Sequence, residues 1–319
     1  MKSKKLLRVF IIFDLVILAL LLPYLLLNKE KIDLNDGIRA MSGRDFVKLS
    51  DGYVHFELAG PDEGELVVLV HGFSVPSYIW EPTKFGLVDH GYRVLSFDLY
   101  GRGYSDRPKI DYDLDLFVNQ IAELTRQVVP GEPFHLVGLS MGGPIVARFT
   151  NENPDLVKSI TLIAPEVLTV DERDIFPMNI PIIGEWVVGA YLVPIHLPQS
   201  QLDDFYRPEK FPRWEERYLD QLQYKGYKYA ILSTIRNLVK MEPLAEYEKL
   251  SELGIPSLLI WGEEDQSVSY EAIVKLLQAM PEIETLFVED AGHIPHVEKA
   301  EIVNPVLIRF LESNVLGDF

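Results

Sequence analysis

The sequence predicts an α/β fold in which a mostly parallel sheet is covered by helices on both faces and is interrupted by a helical insertion. Short apolar runs, typical of buried strands, alternate with helix-length stretches along most of the chain. About 80 residues between two of these runs contain no clear strand. The length of 319 residues allows one large domain or two small ones.

The composition excludes several classes of protein. Hydrophobic residues make up 48% and charged residues 24% of the chain, which excludes a disordered chain, a collagen-like fibre and a multi-span membrane protein. The formal net charge of −18 makes nucleic acid a poor partner, because an acidic surface repels phosphates. The absence of cysteine removes disulfides, thiolate catalysis, cysteine-ligated zinc and iron–sulfur clusters.

Residues 1–45 are predicted to form a membrane anchor followed by a polar linker. The apolar run at residues 9–27 is 19 residues long, about the span of a bilayer core, and it contains one charge, Asp14, and one helix breaker, Pro23. A cleaved signal peptide is the alternative, but residues 25–29 offer no small-residue cleavage site. The run is preceded by Lys2, Lys4, Lys5 and Arg8. Since such basic flanks stay in the cytoplasm, we expect a single-pass membrane protein whose remaining residues lie on the non-cytoplasmic side.

Eight β-rich runs follow the linker. The first two flank Ser50-Asp51-Gly52, a hairpin signal, and the third is an unbroken apolar run, as a strand buried on both faces should be. The predicted strands are residues 46–49, 53–58, 66–70, 93–97, 134–137, 160–163, 257–261 and 284–288, and the helix-length stretches include residues 114–129, 141–151, 270–279 and 298–313. We therefore assign residues 46–166 and 247–319 to the core of the fold.

Residues 167–246 break the alternation and are predicted to be a helical cap. The segment is inserted between the strands predicted at residues 160–163 and 257–261, and it is rich in aromatic side chains. The aromatic content favours a lipophilic substrate. Packing of the cap against the core is the alternative interpretation of any single aromatic residue.

Ser140 is the candidate nucleophile. It lies in Gly138-Leu139-Ser140-Met141-Gly142, a G-x-S-x-G pattern that directly follows a predicted strand and opens a helix-like run. This is the context of a nucleophile elbow, a turn so tight that the neighbours of the serine must lack side chains. The dipole of the following helix would stabilise a developing oxyanion. A glycine-rich strand–helix turn without chemistry is the alternative.

A serine nucleophile needs a base, and His293 is the preferred candidate among seven histidines. It follows the last predicted strand and Gly292, which lets the chain turn so that the next side chain projects over the edge of the sheet. His296 is the alternative, although a supporting role explains it more simply. His71-Gly72, directly after the strand at residues 66–70, suits an oxyanion loop in which backbone N–H groups matter more than the imidazole.

Asp265 is the preferred carboxylate for orienting the base. It ends Trp261-Gly262-Glu263-Glu264-Asp265, directly after a predicted strand, where it can turn toward His293. The two glutamates before it are more typical of a solvated face. Glu166, at the end of the strand before the insertion, is a second candidate. The order Ser140, Asp265, His293 is the nucleophile–acid–base order of one known type of triad.

Together these motifs resemble those of the α/β-hydrolase-fold serine hydrolases, over roughly residues 46–319. The landmarks are H-G-F at residues 71–73, D-L-Y-G-R-G-Y-S-D-R-P at 98–108, G-L-S-M-G-G at 138–143, W-G-E-E-D at 261–265 and A-G-H-I-P-H at 291–296. The resemblance implies that the N–H groups of Phe73 and Met141 form the oxyanion hole and that the insertion is the cap domain. Residues 98–108 also resemble epoxide hydrolases and haloalkane dehalogenases, but those use an aspartate nucleophile where this chain has Ser140. An N-terminal anchor ahead of such a domain is similar to membrane-bound monoacylglycerol lipases.

The expected activity is hydrolysis of a carboxylic ester with a hydrophobic acyl group through an acyl-enzyme intermediate. An amidase or peptidase, a C–C bond hydrolase and a perhydrolase use the same triad and stay open, as does a non-catalytic ligand receptor on the same fold. We expect no cofactor, because the chain lacks phosphate-loop and dinucleotide fingerprints. We also expect no metal, because His293 and His296 have no evident third ligand nearby. The expected partners are a small-molecule or lipid-like ester and, through the N-terminal helix, a membrane.

Overall fold

The computed structural model describes residues 2–314, and it describes residues 2–9, 13, 16 and 20 by their backbone only. The strands are β1 (Asp45–Leu49), β2 (Gly52–Ala59), β3 (Leu66–Val70), β4 (Arg93–Phe97), β5 (Phe134–Leu139), β6 (Val157–Ile163), β7 (Ser257–Gly262) and β8 (Glu284–Val288). They form one sheet in the order β1-β2-β4-β3-β5-β6-β7-β8. The pairs β1–β2 and β2–β4 are antiparallel, and all other neighbours are parallel.

Helices cover both faces of this sheet, and further helices lie in the segment before β1 and in the insertion. They are α1 (Lys2–Leu26), α2 (Asp36–Ser42), α3 (Glu81–Asp89), α4 (Leu114–Val128), α5 (Gly142–Glu152), α6 (Ile183–Val187), α7 (Leu197–Ser200), α8 (Trp214–Leu219), α9 (Tyr227–Leu238), α10 (Pro243–Glu252), α11 (Tyr270–Ala279), α12 (Pro295–Glu298) and α13 (Ala300–Ser313). A π-helical segment, Val188–His196, joins α6 to α7. The sheet separates two hydrophobic cores. Successive side chains of β3 point to opposite faces of the sheet, so Val68 packs in the core that includes α4 and α5, and Leu69 packs in the core that includes α3 and α13.

The predicted fold class is confirmed. All eight predicted strands are present within two or three residues of their expected bounds, because their apolar character is a local property of the sequence. Ser50-Asp51 forms the tip of the predicted hairpin, with Leu49 paired to Gly52. The helix expected at residues 298–313 is instead broken at Lys299, whose φ of −133° and ψ of 44° separate α12 from α13.

The segment between β6 and β7 contains short helices and turns, and the described residues there form no strand of the sheet. The boundary predicted between residues 246 and 247 falls inside α10, which packs against α5 of the core. The division of the chain into anchor, core and cap stays a prediction.

Residues 28–43 are more ordered than a linker. Asn35 caps α2 by accepting a hydrogen bond from the N–H of Ile38 at 3.1 Å, and Gly43 ends it with a φ of 67°. Ile32 forms a β-bridge with Tyr224. Arg39 forms an ion pair with Asp106 in the loop after β4. This segment therefore contacts both the residues of the insertion and those of the core.

The predicted single-pass membrane anchor and the membrane localisation inferred from it are wrong. Among the residues that the structure describes, no helix is both long and apolar enough to cross a membrane. α1 includes Asp14 and Pro23, and its last turn packs against the protein, since a Cβ at Gly189 would collide with the ring of Tyr24. The expected orientation depended on the basic side chains of Lys2, Lys4, Lys5 and Arg8. These side chains are not among those that the structure describes.

Candidate active site

Ser140 occupies a strained turn between β5 and α5. Its φ is 53°, in the left-handed region that residues other than glycine rarely adopt. Its carbonyl accepts hydrogen bonds from the N–H groups of Gly143 at 2.8 Å and Glu166 at 3.0 Å. A Cβ at Gly138 or Gly142 would lie 2.5 Å from a backbone carbonyl oxygen, so only glycine fits beside the serine. The turn has the geometry expected of a nucleophile elbow.

The loop after β3 passes directly over this serine. A Cβ on Gly72 would lie 3.1 Å from the Cβ of Ser140 and 3.6 Å from its Oγ. The next residue, Phe73, and the residue after the serine, Met141, each carry a backbone N–H for which the described residues provide no hydrogen-bond partner. Unpaired N–H groups on both sides of a serine hydroxyl can stabilise negative charge that develops on a bound carbonyl oxygen.

His71 holds this loop in place rather than acting on a substrate. Its Nε2 accepts a hydrogen bond from the N–H of Leu99 at 2.9 Å, so Nδ1 carries the proton that is donated to the carbonyl of Gly72 at 2.9 Å. Burial lowers the pKa of His71 to about 4, which keeps the ring neutral. One bond stiffens the loop itself, and the other joins it to the backbone that follows β4.

A second buried network supports the same loop. The carboxylate of Asp98, which is 1% exposed, accepts hydrogen bonds from both the N–H and the hydroxyl of Ser77, from the N–H of Tyr104, and from Nδ1 of His55 at 2.8 Å. Burial alone would raise the pKa of Asp98. The charge and hydrogen bond of His55 outweigh burial and hold that pKa well below its usual range. Asp98 is therefore a structural carboxylate that joins β2, β4 and the loop after β3.

His293 and Asp265 form a hydrogen-bonded pair. Nδ1 of His293 lies 2.9 Å from Oδ2 of Asp265, and the other carboxylate oxygen accepts the N–H groups of Ser267 at 2.7 Å and Val268 at 2.9 Å. Burial alone would lower the pKa of His293, but the hydrogen bond and charge of Asp265, together with the charges of Asp204 and Glu166, raise it to about 9. The carboxylate is fixed by the backbone and in turn fixes the ring.

The structure distinguishes the alternative candidates by their contacts. Of the two candidate carboxylates, Asp265 is the one that accepts a hydrogen bond from the ring of His293. Burial raises the pKa of Glu166, whose N–H and carbonyl bond to Ser140 and Tyr247. His296 is fully buried, its ring centroid lies 4.7 Å from that of Trp80, and burial lowers its pKa to about 3. Glu166 and His296 are thus packed parts of the surroundings.

Ser140 and His293 open onto one cavity of about 220 Å³. Its apolar lining comes mainly from the body of the protein, through Phe73, Val75, Ile79, Leu139 and Ile294, with Leu197 from the insertion. Its polar lining includes Ser200, Gln201 and Asp204, all in the insertion. Larger cavities lie elsewhere on the protein and contain neither Ser140 nor His293.

Two functional candidates were missed by the sequence analysis. Asp204 lies beside His293, since its carbonyl accepts the N–H of His293 at 2.8 Å. Glu298 in α12 accepts three backbone N–H bonds, from Gly292 at 2.9 Å, Tyr206 at 2.9 Å and Arg207 at 2.7 Å. No local motif surrounds Asp204 in the sequence. Glu298 offered one signal, its position on the short helix that follows the predicted base.

Comparison with known proteins places these features in a family. A family model described as the alpha/beta hydrolase fold matches residues 65–300. An AB hydrolase superfamily protein, YfhM, from Bacillus subtilis is 28% identical over 87% of this chain and 99% of its own length. Lipase 1 from Psychrobacter immobilis is 27% identical over 85% of this chain and 81% of its own length. The structure of a thermophilic esterase from Thermogutta terrifontis superposes with a TM-score of 0.73 at 20% identity, covering 84% of this chain and 98% of that one.

Proposed function

Because this chain belongs to the alpha/beta hydrolase family and is a hydrolase, we propose that it cleaves carboxylic esters through an acyl-enzyme intermediate formed on Ser140. One observation carries the proposal: Ser140 and His293 line one cavity, and His293 is hydrogen bonded to Asp265. A nucleophile, a base and an orienting carboxylate are the three groups that acyl transfer requires. The relatives named as lipase and esterase support an ester as the substrate.

In the proposed mechanism, Ser140 attacks the ester carbonyl while Nε2 of His293 takes the proton from its hydroxyl. The N–H groups of Phe73 and Met141 donate hydrogen bonds to the oxyanion of the tetrahedral intermediate. Collapse of that intermediate breaks the bond to the leaving alcohol, which receives the proton from His293. Water, deprotonated by His293, then attacks the acyl-enzyme, the bond between the acyl carbon and Oγ of Ser140 breaks, and Oγ takes the proton back from His293 as the acid is released. Asp265 keeps the proton of the imidazole on Nδ1 throughout, so that Nε2 faces the reaction.

The cavity supports a small substrate. Its volume of about 220 Å³ is below the range of about 300–1,000 Å³ that is usual for drug-sized ligands. The apolar side chains of Phe73, Leu139 and Ile294 offer a surface for a short hydrocarbon chain. We propose that the acyl group is hydrophobic and short, and that long-chain esters require the insertion to move.

Turnover of p-nitrophenyl acetate, butyrate and octanoate by the full-length protein tests the proposal. We expect the highest kcat/KM for the short esters, and covalent labelling of the protein by a fluorophosphonate probe. Ser140→Ala should lower turnover by several orders of magnitude and abolish labelling. Ser251→Ala, a change on α10 away from the cavity, is the matched control and should keep both. An unchanged rate in Ser140→Ala would refute the proposed nucleophile.

The same protein sample distinguishes the alternatives. A higher kcat/KM for p-nitroanilides than for p-nitrophenyl esters would indicate an amidase. Bromination that depends on hydrogen peroxide and acetate would indicate a perhydrolase, and hydrolytic cleavage of a vinylogous 1,5-diketone would indicate a C–C bond hydrolase. A folded protein that neither turns over these substrates nor reacts with the probe would be a non-catalytic receptor.

A further inference from the structure

The insertion supplies one side of the active-site cavity with a hydrogen-bond acceptor that has no partner. Gln201 is 2% exposed and lines the cavity. Its Nε2 donates to the carbonyl of Leu197 at 2.9 Å, while its Oε1 is buried and has no hydrogen-bond partner among the described residues. The reverse orientation of the amide would place its oxygen against that carbonyl, so Oε1 is the unpaired atom. A buried acceptor without a donor costs free energy, and because Gln201 lines the cavity, a donor on a bound molecule could reach Oε1 after a small rotation of the amide.

A second acceptor lies three residues further along the same turn. The backbone of Asp204 is fixed by its carbonyl, which accepts the N–H of His293 at 2.8 Å. Its side chain lines the cavity, and the described residues offer its carboxylate no hydrogen bond or ion pair. Burial raises the pKa of Asp204 to about 6, and the nearby charge of His293 opposes that rise. At neutral pH the group is therefore mostly a carboxylate, which only accepts hydrogen bonds.

The charges around these acceptors favour a donor and disfavour an anion. The described residues that line the cavity include no lysine or arginine. His293 is itself protonated at neutral pH, since its pKa is raised to about 9, but the carboxylates of Asp204 and Asp265 that raise it outnumber this one positive charge. A substrate carboxylate would therefore be disfavoured beside Asp204, whereas a hydroxyl or ammonium group could donate a hydrogen bond to either acceptor.

We propose that Oε1 of Gln201 and the carboxylate of Asp204 form a specificity subsite that binds a hydrogen-bond donor on the substrate, either a hydroxyl or an ammonium group. The inference rests on the proposed esterase activity and names the substrate class of that site. Its consequence is a preference for esters that carry such a donor over alkyl esters of the same size and shape.

Matched esters test this preference in the full-length protein. 2-Hydroxyethyl butyrate is compared with propyl butyrate to place a hydroxyl in the alcohol portion. Methyl 3-hydroxypropanoate and β-alanine methyl ester are each compared with methyl butyrate, to place a hydroxyl or an ammonium group in the acyl portion; a preference in these pairs would replace the hydrophobic acyl group proposed above with a polar one of the same size. Hydrolysis is followed by titration of the released acid. We expect kcat/KM to be about tenfold higher for the donor-bearing member of at least one pair, which corresponds to about 1.4 kcal/mol.

Variants assign the preference to the two side chains. Gln201→Met removes the acceptor with little change of shape, and Asp204→Asn removes the charge. Each should reduce the preferred pair's ratio of kcat/KM values toward one. Gln199→Met and Asp203→Asn, exposed neighbours on the same segment, are the matched controls and should keep the wild-type ratio. If Asp204→Asn loses a preference for the ammonium-bearing ester, the donor on the substrate is charged. If Gln201→Met loses a preference for a hydroxyl-bearing ester, the donor is neutral.

The outcomes separate this inference from the function on which it rests. Turnover of the alkyl esters with ratios near one in the wild-type protein would overturn the subsite and leave the esterase activity intact. No turnover of any ester would overturn the proposed function and the subsite with it. Because the wild-type ratios require no substitution, poor folding of a variant does not prevent the test.

Discussion

Glu298→Gln is expected to loosen the loop that presents His293. In the structure, one carboxylate oxygen of Glu298 accepts the N–H groups of Gly292 and Tyr206, both at 2.9 Å, and the other accepts the N–H of Arg207 at 2.7 Å. These bonds connect the residue before the base to the segment of the insertion that also contains Asp204. A carboxamide has a single acceptor oxygen, so it can replace only one of the two carboxylate oxygens as an acceptor.

The size of the effect follows from these three bonds. If the carboxamide oxygen keeps the bonds to Gly292 and Tyr206, its NH2 group faces the N–H of Arg207, so two donors oppose each other. One hydrogen bond to a charged acceptor is lost, at about 1.5–3 kcal/mol, and the other two become neutral and weaker. We expect a loss of about 2–4 kcal/mol in the free energy of unfolding. We also expect kcat/KM to fall by roughly 100-fold, because a displacement of about 1 Å can cost that much.

Thermal unfolding and steady-state kinetics with p-nitrophenyl butyrate measure both quantities. A loss of 1 kcal/mol lowers Tm by about 2–4 °C in proteins of about 150–250 residues, so a decrease of several degrees is expected. The kinetic loss should appear mainly in kcat, since Glu298 does not line the cavity. Glu301→Gln, an exposed change at the start of α13, is the control. A Tm and a kcat within experimental error of the wild-type values would refute this reasoning.

Three further expectations concern charges. Asp265→Asn should lower kcat by several orders of magnitude and Glu166→Gln by much less, because Asp265, and not Glu166, is hydrogen bonded to the ring of His293; steady-state kinetics on both variants measure the difference. The kcat/KM of the wild-type protein should rise with pH up to about pH 9, since His293 must lose a proton before it can act as a base, and its pKa is raised to about 9; Asp204→Asn should move the midpoint to lower pH in the same pH–rate assay. Asp98→Asn should destabilise the fold by about 3–5 kcal/mol in urea unfolding at pH 7, because it weakens the four buried hydrogen bonds that this carboxylate accepts, each worth about 1.5–3 kcal/mol; since the pKa of Asp98 is depressed in the folded protein, its contribution is present above the unfolded value of about 4 and is lost as pH falls below that value.

Matched substitutions serve as controls for these experiments. Glu264→Gln removes an exposed acid next to Asp265 and should leave kcat unchanged. Asp89→Asn removes an exposed charge at the end of α3 and should leave the urea midpoint unchanged. If Glu166→Gln proved more damaging than Asp265→Asn, the assignment of the orienting carboxylate would be wrong. A pH profile whose midpoint does not move in Asp204→Asn would contradict the electrostatic coupling between that carboxylate and the base.

The strands of this protein were predictable because each is a local run of apolar residues that the sheet buries. The pair of His293 and Asp265 was predictable for a related reason, since both directly follow strands whose carboxyl ends meet at one edge of the sheet. The helix α2 was not predicted, because Asn35-Asp36-Gly37 has the composition of a turn and the capping bond of Asn35 decides the outcome. Gln201 and Asp204 were not predicted either. Their place at the site depends on contacts between the insertion and a helix almost 100 residues later, and such contacts have no local signature.

The segment that precedes β1 restricts how substrate can reach Ser140. Lys31 and Ile32 donate their N–H groups to the carbonyl of Gln223, at 2.8 and 2.9 Å, and Ile32 accepts the N–H of Lys225 at 2.9 Å. A few residues later, Arg39 is paired with the core. A hinge movement of the insertion away from the sheet would have to break the hydrogen bonds to residues 31 and 32 as well as the contacts with the loop that carries His293. Substrate and product of the proposed reaction are therefore expected to pass by small rearrangements of side chains and turns at the rim of the cavity, and esters that need a larger movement of the insertion should be turned over slowly.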